Sequence, residues 1–167
     1  MTTSEIFRLA DEYVERHAAL DPVAATLEGI GGHDSEMTDF SPDAQEERVE
    51  HDRHALRALA ATPAETEGDR LAAAVMADRL QVGIDLYEEG EHLRQLNVLS
   101  SPMQWIREAF DLMPRATEAD WETLTARVGL VPEALAGIEA SYDEGLAQGL
   151  VAARRQVVGC VRQAEVW

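Results

Sequence analysis

Residues Leu27 to Pro42, LEGIGGHDSEMTDFSP, gather Gly29, Gly31, Gly32, His33 and several carboxylates into one short stretch. Side chains of these types could do two kinds of chemistry. His33 and Asp34 could ligate a metal ion, or Gly31 and Gly32 could bare their backbone amides to an anion. A zinc site needs three or four donors, and one histidine with scattered carboxylates does not provide them locally. The run DSEMTD does not reproduce the oxygen spacing of a calcium-binding EF-hand loop. Phosphate cradling requires a strand before the glycines and a helix immediately after, and neither is expected here. The stretch therefore reads as architecture: glycines that end a helix, a polar turn, and a new cap at Ser41.

Three other clusters could carry chemistry. In EERVEHDRHALRAL, His51 and His54 lie three residues apart, with Glu47 and Glu50 each four before one of them. On a helix those side chains are neighbours. The HExxH order of zinc peptidases is absent, however, and a solvated, ion-paired helix face accounts for the charges. Glu89 to His92 forms a Glu-x-x-His, but di-iron bundles require a second copy and further glutamates, and this chain has no other. Cys160 sits among apolar residues in VVGCVRQ without a local histidine and reads as a buried structural thiol. His17 lies on an apolar helical stripe and reads as a core or rim residue. There is no GxSxG elbow. No catalytic, cofactor-binding or metal-ligating residue is assigned from these patterns.

The elements that would position such groups are helical. The chain has 167 residues, 46% hydrophobic and 28% charged, the size of one globular domain, residues 1–167. Its formal charge is −18, and all fourteen basic residues are arginine. The lack of lysine excludes Schiff-base chemistry and a P-loop. So acidic a surface, with no arginine cluster beyond Arg154-Arg155, argues against a nucleic-acid partner. One cysteine, no apolar leader and no long apolar run point to a cytoplasmic protein without a membrane partner.

Helix punctuation recurs along the sequence. Thr2 with Glu5 resembles a capping box, followed by Ile6, Leu9, Ala10, Tyr13, His17 and Leu20 at helical spacing. Asp21-Pro22, Ser41-Pro42 and Ser101-Pro102 each pair an N-cap with proline at the first helical position. The first opens a short helix ending near Gly29, and the second a helix to about Ala61 with Val49, Leu56 and Leu59 inward. Asp69 is expected to cap a long helix from Arg70 to about Leu96, with Leu71, Val75, Leu80, Ile84 and Tyr87 on its apolar side. Gly83 and Gly90 fall inside that helix and suggest close approach of a crossing helix. Thr117 with Asp120 caps a segment about Trp121, Pro132 breaks or kinks the chain beyond it, and the last helix covers about Val151 to Glu165. Trp105 and Trp121 lie among apolar neighbours and read as core. The expected fold is all-α, an irregular bundle of six or seven helices.

Taken in order, several of these signatures resemble the N-terminal part of a bacterial family, the domain of unknown function 885 (DUF 885). They are DPVAATLEGI; then Asp34 with DFSP; LNVLSSP; Trp121 with RVGLVPEAL; and EGLAQGLVAARRQV. The residues that carry it include Asp21, Pro22, Ala25, Thr26 and Gly29, then Asp34, Asp39, Phe40, Asn97, Trp121, Arg127, Gly145, Gly149, Arg155 and Gln156. Members of that family are longer, mostly helical, and resemble gluzincin-type zinc metallopeptidases. The resemblance implies zinc for the full-length family, bound by a motif downstream of the region matched here. It implies that this chain is a helical scaffold portion of a metal-dependent peptidase-like hydrolase, inactive by itself. A self-sufficient interaction or self-association module is the alternative. The expected partner is the remaining C-terminal part or a second copy, met through an exposed apolar face.

Overall fold

Side-chain capping divides the chain into its elements. The computed structural model describes residues 4–166. Among them are eight α-helices: α1 (Glu5–Leu20), α2 (Pro22–Glu28), α3 (Pro42–Ala61), α4 (Glu67–Glu88), α5 (Pro102–Leu112), α6 (Glu118–Val128), α7 (Val131–Gln148) and α8 (Arg154–Ala164). A single 3-10 turn, Glu91–Leu93, follows α4, and no strand occurs among the described residues. The all-α expectation holds. The segments on either side of Pro132 are separate helices, because the proline sits in the first turn of α7, where its missing amide costs nothing.

Asp21 and Ser41 cap α2 and α3 as their spacing suggests, each side chain accepting an amide proton from the first turn. Ser101 precedes α5 but makes no such bond. Its hydroxyl turns instead to Gln104 and to the carbonyl of Asn97. Thr2 lies outside the described residues; Ser4 is the N-cap of α1. The expected boundaries of α4 need correction. Thr66 is its N-cap, and Asp69 is the third helical residue, closing a capping box back onto the Thr66 amide. The Asp69 carboxylate also accepts from the Ser4 hydroxyl at 2.6 Å, so one side chain ties the starts of α1 and α4 together. That bond, with the Thr66 amide, holds its pKa below the usual carboxylate value. The helix stops well short of Leu96 because Gly90 adopts a left-handed φ of 68°.

Two apolar clusters form the interior. Ile6, Ala55, Leu59 and Leu80 join α1, α3 and α4. Val23, Phe40, Ile106, Ala109, Ala134 and Ile138 join α2, the loop after it, α5 and α7. Leu71 and Val75, expected inward, are instead 66% and 55% exposed. The inward positions of that half of α4 are taken by Ala72, Ala73 and Met76, so Leu71 and Val75 fall on the outer face.

Close backbone approach occurs mainly on α7 and not at Gly83 and Gly90, where their spacing places it. A Cβ at Gly145 would lie 2.4 Å from the Leu93 carbonyl oxygen and 2.8 Å from that of Leu150. One at Gly137 would lie 2.8 Å from the Ser41 amide nitrogen. Helix α7 is thus the post against which the turn after α4 and the entry to α3 rest. Gly145→Ala should cost about 1–3 kcal/mol by overpacking against rigid backbone. Gly68→Ala, in the exposed first turn of α4, should be neutral or stabilising. Urea unfolding of the two variants checks the contrast.

Candidate functional site

Arg127 dominates the polar interior although it stands alone on α6. Its side chain is fully buried. Nη1 donates to the Thr26 hydroxyl at 2.7 Å, and Nη2 to the Pro22 carbonyl at 2.9 Å. Asp34 lies 3.8 Å from Nη1. The Thr26 hydroxyl, accepting from Arg127, has one proton to direct to Asp34 at 2.9 Å or to the Pro22 carbonyl at 3.1 Å. Burial lowers the Arg127 pKa, and the charge of Asp34 works against that. Next to this network the Thr38 hydroxyl donates to Asp21 at 2.6 Å and accepts from the Val23 amide at 2.9 Å. The glycine-rich stretch after α2 is therefore stitched down at Asp34 and at Thr38. His33 points elsewhere, pairing with Glu36 at 3.0 Å. The two candidate metal donors, His33 and Asp34, do not converge.

A second polar cluster lies between α1 and α3. The Tyr13 ring stacks on His51 at 4.8 Å and on His17 at 5.5 Å. Its hydroxyl donates to Asp52 at 2.8 Å. Burial raises the pKa of both Tyr13 and Asp52; the bond from Tyr13 and the neighbouring histidines partly restrain the rise at Asp52. His51 and His54 line a cleft of about 580 Å³ with Leu9, Tyr13, Ala55 and Ala58. The glutamates beside them behave as a solvated face. Glu47 pairs with Arg16 at 2.7 Å and Glu50 with Arg53 at 2.7 Å. The structure brings His51 to Tyr13 and Asp52 rather than to a carboxylate on its own helix face.

The remaining candidates are also engaged structurally. His92 stacks on Tyr87 at 4.3 Å; its Nδ1 is buried without a hydrogen-bond partner, and burial lowers its pKa. Cys160 is 3% exposed and faces the Gln104 amide. Trp105 packs on the second core and donates to Ser100 at 2.7 Å. Trp121 departs from expectation: it is 51% exposed, because α6 turns Arg127 and not the indole toward α2.

Among the described residues no group of three or more His, Cys, Asp or Glu could hold a metal ion. The imidazoles of His51 and His33 face Tyr13 and Glu36 respectively. No described helix is long and apolar enough to cross a membrane. The hydrogen-bonding networks around Arg127 and Tyr13 join helices that are distant in sequence.

The sequence model of a family described as a bacterial protein of unknown function (DUF885) matches residues 22–167, and the chain belongs to that family. No match is found among curated proteins.

Spacing alone does not single out Arg127, Tyr13 or Asp52, since their partners lie far away in sequence. The ordered family landmarks do include Asp21, Thr26, Asp34 and Arg127. Removing the guanidinium leaves the Pro22 carbonyl and Thr26 without their charged donor. Arg127→Ala should therefore destabilise by on the order of 3 kcal/mol. Arg127→Lys should not restore it, because an ammonium lacks the planar fork that reaches two acceptors. Chemical denaturation of both variants is the check.

Proposed function

We propose that this chain is a helical wall of a larger metal-dependent, peptidase-like hydrolase, and that it has no reactive centre of its own. The observation that carries the reading is an uncovered apolar face beside α5, α7 and α8. Met103, Ile106, Phe110, Val131, Leu135 and Ala164 line an open groove of about 410 Å³. On α8, Val157, Val158 and Val161 are 39%, 41% and 53% exposed. Exposed apolar surface of this kind marks a contact face, and a wall element is expected to present one to the body that it walls. The polar clusters support the same reading, since their hydrogen bonds are spent on joining elements. The hydrolase class itself is an inference from the family resemblance.

The test uses the purified chain with zinc and a mixed peptide substrate. The expected result is no turnover, no stoichiometric zinc, and binding of a hydrophobic dye such as ANS. Sedimentation should show self-association that Leu135→Arg reduces. Peptide cleavage or stoichiometric zinc would overturn the scaffold reading. A monomer that takes up no dye would overturn the contact face.

A further inference from the structure

Between α3, α4 and the turn after α4 lies a pocket of about 170 Å³ that shares Asp52 with the Tyr13 cluster. At roughly 30 Å³ per water it has room for about five or six waters, which suits a small solute and not a peptide. It opens because α4 carries Gly83 at this level. A Cβ there would lie 3.4 Å from Asp52 Oδ2, and any longer side chain would enter the pocket.

The charges in its wall are arranged unusually. Arg48 and Asp52, one helical turn apart on α3, both line it. Arg48 spends Nη1 on the backbone carbonyls of Asp39 at 2.8 Å and Leu20 at 3.3 Å. Asp52 spends Oδ1 on Tyr13. The two charged groups make no salt bridge with each other, and both are partly withdrawn from water. His92 lines the same pocket with a buried Nδ1 that has no hydrogen-bond partner. Val49 and Leu86 complete an apolar side. Arg48 and Asp52 present opposite charges side by side on one wall of the cavity, where the third charged residue, Glu91, is paired with Arg94. Together Arg48 and Asp52 match a ligand that carries both charges in the reverse sense.

We propose that this pocket binds a small free α-amino acid, its carboxylate on Arg48, its ammonium on Asp52 and His92, and a short side chain against Val49 and Leu86. The site stands independently of the hydrolase reading, because it needs only residues of this chain.

The test is a titration of the whole, isotope-labelled chain followed by amide NMR, with L-alanine as the probe. Propionate and ethylamine serve as single-charge controls. Saturable shifts at residues 48, 52, 83 and 92 are expected with L-alanine. Each control should bind at least about tenfold more weakly, as expected when one charge-assisted contact is lost. Gly83→Ile fills the pocket while removing a helix-interior glycine, so the fold should survive and L-alanine binding should vanish. Asp52→Asn keeps an acceptor for Tyr13 and should weaken L-alanine far more than propionate. Absence of saturable shifts with L-alanine overturns the proposal. So do equal responses to all three probes, or binding that persists in a folded Gly83→Ile variant.

Discussion

A guanidinium with no access to water must find acceptors inside the protein, and the positions of those acceptors then constrain everything around them. Arg127 imposes this condition here. It takes the Pro22 carbonyl and the Thr26 hydroxyl from α2, with the Asp34 carboxylate nearby on the loop. Helix α6 is thereby fixed against α2, although the two are far apart in sequence. The loop is held at a second point by Thr38 on Asp21. It then delivers Phe40 into the core and lays the backbone at Ser41 against Gly137. The Ser141 hydroxyl closes the sequence by donating to the Phe40 carbonyl at 2.7 Å. Loosening the guanidinium would thus release α2, the loop and the start of α3 in succession.

The same demand for internal partners shapes the other polar clusters. Tyr13, His51 and Asp52 hold α1 to α3, and Asp69 joins the N-termini of α1 and α4. Each of these polar side chains reaches a partner on a distant element. The sites that retain capacity lie at the edges: the apolar groove by α8 and the small charged pocket beside Gly83.

Local structure is legible in the sequence because its causes are local. Asp21-Pro22, Ser41-Pro42 and Thr117 with Asp120 mark helix starts through side chains that reach amides within one turn. The α4 boundaries are harder to read because Asp69 can serve equally as an N-cap or as the third residue of a capping box, and Thr66 decides between them. Its exposed stripe is hidden for a related reason. Leu71 and Val75 look more core-like than Ala72 and Ala73, yet it is Ala72, Ala73 and Met76 that pack against the neighbouring helices. The residue that pins the glycine-rich stretch, Arg127, is invisible to any spacing rule. The exposure of Trp121 has the same origin, since one helix cannot turn both side chains to the same neighbour.

Native-state hydrogen exchange measures most directly whether this stretch is structural. The Val23 amide donates to the Thr38 hydroxyl at 2.9 Å, and the Ile30 amide to the Ala25 carbonyl at 2.8 Å. If the buried guanidinium organises the region, both amides exchange only through global unfolding, with the same free energy as core amides of α7 around Ile138. Exchange through local opening, at free energies far below the global value in an otherwise folded protein, would show the segment to be a mobile loop and contradict the account.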